Sequence, residues 1–205
     1  MKVRSYGVHA LLIEVESTAA ATALRTGLDA APPPGTVETM PGLQTVLVRF
    51  DPRVTDAGTL AHALAAVEVE PPPAGERADL DPVTVRVIYD GPDLHDVAAH
   101  AGLSVDEVVS AHVSATYRVA LIGMAPGFYF LAGGDPRLQP PRLPSPRQRV
   151  PKGAVGLAGP LTGIYPKDGP GGWQLVGRAL DELWHPARLP AALLEPGATV
   201  RLAAA

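Results

Sequence analysis

The chain has 205 residues, 46% of them apolar and 19% charged, with a formal charge of −4. That is enough to bury one large core or two small ones, and the mild acidity offers no concentrated positive charge for a nucleic-acid backbone. The lack of any cysteine excludes disulfides, thiolate zinc sites and a cysteine nucleophile, and fits a reducing cytoplasm.

In chain order, Lys2 and Arg4 precede an apolar run interrupted by His9 and Glu14, with no small-residue cleavage site, so no signal peptide is expected. Residues 9–16 read as a buried strand, rich in β-branched and aliphatic side chains. Ser17 is placed to cap a helix running to about residue 30, where alanine, leucine and arginine dominate. The Pro32-Pro-Pro-Gly35 run stops it. Residues 45–50 alternate as a second strand, ended by Asp51-Pro52, and Thr55 or Asp56 caps a second helix with Leu60, Leu64 and Val67 on one face. Two helices on a small sheet give an α+β domain over residues 1–70.

Residues 71–82 are polar, proline-rich and without apolar period, the signature of a linker. A second domain is expected over residues 83–205. Its first strand, residues 83–89, alternates Val83, Val85 and Val87 against Thr84, Arg86 and Ile88. Asp93 opens a short helix to about His100, and Ser104 with Glu107 forms a capping box in which each side chain satisfies a free amide of the other. The helix so started puts Val105, Val108, Val109, His112 and Val113 on one face, and residues 117–123 form the next strand. Beyond Met124, glycine and proline recur every few residues, with short apolar runs at 154–158, 174–177 and 199–202. Short strands with tight corners indicate a small β-barrel or sandwich. The longest uncharged stretch, residues 119–134, is too short for a bilayer and contains Pro126.

Several chemistries fall to absence. The lysines are Lys2, Lys152 and Lys167, none preceded by glycine, so no P-loop exists. The histidines are scattered and offer no zinc-binding pair, and no serine sits in a nucleophile elbow. What remains is concentrated between residues 112 and 178. Residues 123–134 pack aromatics among glycines, either a backbone cradle around a ligand at Gly127 and Phe128 or a barrel corner plugged by aromatic rings. Arg142, Arg147 and Arg149 lie on a stiff, proline-rich segment, which suits either an anion site or a salt-bridged rim. Tyr165, Trp173 and Gln174 flank glycine turns, as pocket lining or as core. His112, on an apolar helical face, is either a satisfied core residue or the best available general base.

The run Tyr117-Arg-Val-Ala-Leu-Ile-Gly-Met-Ala-Pro-Gly-Phe128 is followed by Asp135-Pro-Arg-Leu138, Pro146-Arg-Gln-Arg-Val-Pro151, Thr162-Gly-Ile-Tyr-Pro166 and Pro170-Gly-Gly-Trp-Gln-Leu-Val-Gly-Arg178. With Tyr89-Asp-Gly-Pro-Asp-Leu94, Glu38-Thr-Met-Pro-Gly42 and Leu47-Val-Arg-Phe-Asp-Pro52, these motifs cover nearly the whole chain. Together they resemble the allophanate hydrolase subunit 1, or carboxyltransferase C/D, family, which includes the B-type subunit of bacterial 5-oxoprolinase and a Kip-type inhibitor of a sporulation histidine kinase. The resemblance implies an α+β N-terminal domain followed by a cyclophilin-like β-barrel domain. It also implies an allophanate hydrolase subunit 2 partner, of the 5-oxoprolinase C type, and a LamB-type third subunit. The implied activity is ATP-dependent opening of 5-oxoproline to glutamate, with ATP bound by the complex, no metal in this chain and a cytoplasmic location. The substrate carboxylate would suit Arg147 or Arg149, with Tyr165, Gln174, Gly127 and Phe128 around it and His112 as the catalytic base. Two other activities fit the family: a urea-pathway (allophanate) hydrolase or carboxyltransferase subunit, and a non-enzymatic kinase inhibitor. The chain departs from the usual family pattern at Gly7-Val8, Gly123-Met124 and Phe128-Tyr129-Phe130.

Overall fold

A computed structural model describes residues 1–67 and 82–205. The chain divides into two compact units, Met1–Ala78 and Asp79–Ala205. The linker expected over residues 71–82 falls, apart from Pro82, outside the described residues. No helix among the described residues is long and apolar enough to cross a membrane.

The first unit is an antiparallel sheet carrying two helices. Its strands β1 (Lys2–Ser5), β2 (Ala10–Glu14), β3 (Thr36–Pro41) and β4 (Thr45–Phe50) lie in the order β1-β2-β4-β3. Alternation in the two central strands turns Leu11, Ile13, Val46, Val48 and Phe50 to one face. There they meet Leu24 and Leu28 of α1 (Thr18–Ala30) and Leu60 and Leu64 of α2 (Ala57–Ala65). Ser17 caps α1 by accepting from the Ala20 amide at 3.1 Å. Asp56, not Thr55, caps α2, accepting from the Gly58 and Thr59 amides at 2.8 and 3.0 Å. Strands β1 and β3 were not expected from the sequence. Both are edges, mostly exposed, and an edge strand with little to bury has no reason to alternate.

The second unit is a closed barrel. Its strands are β5 (Val83–Ile88), β6 (Thr116–Ile122), β7 (Tyr129–Ala132), β9 (Ala154–Ala158), β10 (Leu161–Ile164), β12 (Gln174–Ala179) and β13 (Thr199–Ala204). Their cyclic order is β10-β7-β6-β13-β5-β12-β9. All neighbours are antiparallel except β13 and β5, which run parallel from Val200 opposite Val83 to Ala204 opposite Val87. The α+β unit and the β-barrel expected from the sequence are thus both present. Between β5 and β6 the chain forms α3 (Leu94–Ala101) and α4 (Val105–Ser114), the latter started by the anticipated Ser104–Glu107 capping box. Their residues Leu94, Val97, Val108 and Ala111 join the barrel's interior cluster with Val85, Val87, Leu131, Val155, Val176 and Val200.

A second layer lies on the outside of the wall. The two-stranded antiparallel sheet of β8 (Arg147–Val150) and β11 (Gly169–Gly171), with the segments around it, covers a separate apolar cluster of Val150, Leu161, Tyr165, Trp173 and Leu175, with Phe128 and Phe130 packed against it. Strand alternation assigns the two sides: in β10, Thr162 and Ile164 face the interior while Leu161 and Gly163 face the Trp173 layer.

Candidate functional site

The alternation of β10 separates the expected site residues. His112 projects from α4 into the barrel interior and is 1% exposed. Its Nδ1 is bonded to the Tyr89 hydroxyl at 2.8 Å and its Nε2 to the Thr162 hydroxyl at 2.9 Å. The Tyr117 hydroxyl donates to the His112 carbonyl at 2.9 Å, and both tyrosine rings meet the imidazole edge-on. Both ring nitrogens are therefore engaged, and the imidazole lies in the core rather than at a surface a substrate could reach. Of the two readings open at this position, the geometry matches the satisfied core histidine.

Burial among neutral partners holds the His112 imidazole at a pKa of about 4, below the usual value of 6.5. The sign of the pH effect follows: the folded state excludes the proton that the unfolded chain accepts below pH 6.5. Stability is therefore untouched above that point and falls as the pH drops towards 4, by up to about 3 kcal/mol. Urea denaturation at pH 7.5, 5.5 and 4.5 should show this loss. A His112→Gln variant, which cannot titrate, should show a loss smaller by that amount; equal slopes would remove the assignment.

The remaining candidates lie on the opposite side of the wall. Tyr165 and Trp173 are buried, and Phe128 packs against Phe130, Tyr165 and Trp173 with ring centroids 4.8, 4.9 and 6.2 Å apart. The Arg142 guanidinium sits over Trp173, 5.9 Å from the ring centroid. Arg147 is committed to structure: it donates to Asp93 Oδ1 at 2.6 Å and to the Trp173 carbonyl at 3.4 Å. Asp93 is 5% exposed, and its other oxygen accepts from the Leu175 amide at 2.6 Å. Asp93 was expected to open α3 as a cap. It stands at that position, but its carboxylate makes no capping bond and reaches across to β8 and β12 instead. Gln174 donates to the Pro141 carbonyl at 3.3 Å, while its buried Oε1 has no partner among the described residues. Arg149 is on the rim, 80% exposed at its side chain, and pairs with Asp168 at 2.6 Å. Asp168 also accepts from the Lys152 amide at 2.8 Å, and these two donors hold its carboxyl below the usual range.

Beside this layer is a cleft of about 240 Å³, lined by Gly127, Lys152, Gly153, Ile164, Tyr165 and Pro166 on one side and residues 179–184 on the other. Gly127 is required there: its φ is +79°, and a β-carbon on it would collide with the Trp184 side chain. Lys152 pairs with Glu182, which lowers the glutamate's pKa. Asp181 is held low by Arg86, which donates from its guanidinium at 2.7 Å and from its amide at 2.7 Å. The cleft thus gathers Gly127 and Tyr165 of the expected set, while Arg147, Gln174 and Phe128 belong to the neighbouring layer and His112 to the interior.

Sequence reasoning missed Asp93, Lys152, Glu182 and Trp184. Lys152 served only to exclude a P-loop, and Trp184 lies outside the glycine-rich motifs; its one signal was a large aromatic in a polar stretch. Among the described residues, no three His, Asp or Glu side chains gather as metal ligands would.

Residues 1–194 match the family described as carboxyltransferase domain, subdomain C and D. The chain is 41% identical over 175 residues to the 5-oxoprolinase B subunit of Escherichia coli O157:H7, covering 82% of this chain and 78% of that one. It superposes on the crystal structure of TTHA0988 in space group P6522 with a TM-score of 0.78 and 38% identity, over 97% of this chain and 40% of that chain. This chain therefore spans well under half of TTHA0988. The K. lactis urea amidolyase shares the fold, with a TM-score of 0.73 at 21% identity over 99% of this chain and 15% of that one.

Proposed function

The chain belongs to the carboxyltransferase subdomain C and D family, and from that membership we propose that it is one subunit of a heteromeric hydrolase that opens 5-oxoproline to glutamate, driven by ATP. The observation that carries this reading is the 41% identity, over most of both chains, to a protein named as the B subunit of 5-oxoprolinase. Ring opening of a lactam is opposed by amide resonance, so coupling to ATP makes physical sense. The urea-pathway or carboxyltransferase alternative has the family's carboxyltransferase description and the shared fold behind it but no relative at comparable identity, and the kinase-inhibitor alternative has no particular residue behind it.

The chain has no P-loop, and the cleft described above, at about 240 Å³, is smaller than a nucleoside triphosphate. We therefore assign ATP binding to the rest of the assembly, a subunit 2 protein together with a LamB-type third subunit, working in the cytoplasm. On this reading the barrel supplies part of the small-molecule site, while the buried His112 and the half-buried Arg147 hold the wall in shape.

The test is to purify the chain with both partners and measure glutamate formed from 5-oxoproline alongside ATP consumed. The expected result is coupled turnover only in the assembled enzyme. Turnover by this chain alone would overturn the subunit reading, and none by the full assembly would overturn the substrate.

A further inference from the structure

We propose that the cleft between the β6–β7 turn and residues 179–184 is a binding subsite for a small carboxylic acid carrying an N–H donor on the carbon beside its carboxylate: an α-amino acid or its lactam. Lys152 takes the carboxylate and Glu182 takes the N–H. The identity of the acid, 5-oxoproline as substrate or glutamate as product, rests on the function proposed above; the subsite itself rests on the geometry.

Size is the first argument. A volume of about 240 Å³ is below what a drug-sized ligand fills, and suits a molecule of one small ring or one amino acid. Chemistry is the second. Asp181 is already spent on the Arg86 guanidinium and amide, which leaves Lys152 and Glu182 as the charges able to turn to a ligand. They now face each other, with side chains 54% and 40% exposed, and an ion pair that open to water is loosely held. An acid with an adjacent N–H inserts between them and leaves neither group without a hydrogen-bond partner: carboxylate replaces carboxylate on the ammonium, and the glutamate accepts from the N–H, which is charged in an amino acid and neutral in its lactam. A ligand bearing only an anion would strand Glu182, and one bearing only a donor would strand Lys152. The wall fits as well. Trp184 and Pro166 give the ligand's carbon skeleton an apolar surface, and Gly127 lets the β6–β7 turn pack directly against Trp184.

The full chain, and separately the assembled enzyme, is titrated with 5-oxoproline, L-glutamate, 2-pyrrolidinone (the lactam without the carboxylate) and cyclopentanecarboxylate (the acid without the N–H), read by NMR at the Trp184 indole. At least one of the first two is expected to shift that signal. The two truncated compounds should bind about tenfold or more weakly, as should the intact acid to Lys152→Met or Glu182→Gln, since each loses one charge-assisted contact. Arg53→Ala, an exposed residue of the other unit, should bind as the natural chain does. Unchanged affinity in Lys152→Met and Glu182→Gln, perturbation confined to Gln174 and Trp173, or no binding to either preparation would overturn the subsite. The two proposals fail separately. Assembled enzyme whose KM for 5-oxoproline is unmoved by Lys152→Met sinks the subsite and leaves the function, whereas acid binding without any turnover sinks the function and leaves the subsite.

Discussion

Gly91→Ala is expected to lower the stability of the barrel unit by about 3 kcal/mol or more, a large share of the roughly 5–15 kcal/mol typical of a domain. The turn after β5 lies directly on β12, with the Gly91 amide donating to the Val176 carbonyl at 3.2 Å and the Asp93 amide to the Leu175 carbonyl at 3.0 Å. A methyl group on Gly91 would overlap the Leu175 carbonyl and the Val176–Gly177 peptide, all backbone, so no side chain can swing aside to make room. Gly177 opposes it in kind: a methyl there would strike the Ile88 carbonyl. Relief requires the turn to lift from β12, which breaks both amide bonds and withdraws Asp93 from its partners. Gly27→Ala, at an exposed position of α1 with open space around it, is the control and should hold or raise stability. Thermal melts and soluble yield of the two variants check the contrast; a Gly91→Ala protein melting with the natural one would show that the contact is not as close as described.

Arg147→Ala is expected to cost about 3 kcal/mol, because it leaves the Asp93 carboxylate buried with its counter-charge gone. The figure sits at the low end for a broken buried pair, since the Arg147 side chain keeps 28% of its exposure. Removing both charges together, as Asp93→Asn with Arg147→Met, should recover a large part of the loss, and a double-mutant cycle in urea measures how much. The same variant separates two roles for this arginine. If it held the substrate's carboxylate, KM in the assembled enzyme would rise while the melting temperature stayed put; the geometry predicts the reverse.

Local signals carried most of the architecture. The Ser17 cap, the Ser104–Glu107 box and the alternation of Val83, Val85 and Val87 each concern residues a few positions apart, and each is present. The short punctuated strands of the second half left barrel or sandwich open, and the resemblance pointed to the barrel. What the sequence hid depends on distant pairs. The Asp93 carboxylate meets Arg147, 54 positions on, and the Leu175 amide, 82 positions on. Nothing near Asp93 distinguishes such a residue from an ordinary helix cap. Likewise the sequence left the arginines of the proline-rich segment open between an anion site and a salt-bridged rim, because the partners of Arg147 and Arg149, Asp93 and Asp168, stand in other elements. His112 shows the limit of a helical face: its position among valines foretold burial, but only the fold could reveal two hydroxyls waiting for its nitrogens.

The parallel pairing of β13 with β5 bears on how the protein is made. The first barrel strand to leave the ribosome, β5, finds both of its neighbours, β12 and β13, among the last, and β6 also waits for β13. Until β13 arrives, the edges of β5 and β6 that face it can pair with nothing of the chain's own. Closure is therefore a late, long-range event, and slow translation or premature termination before β13 would leave those edges open to other chains and favour aggregation.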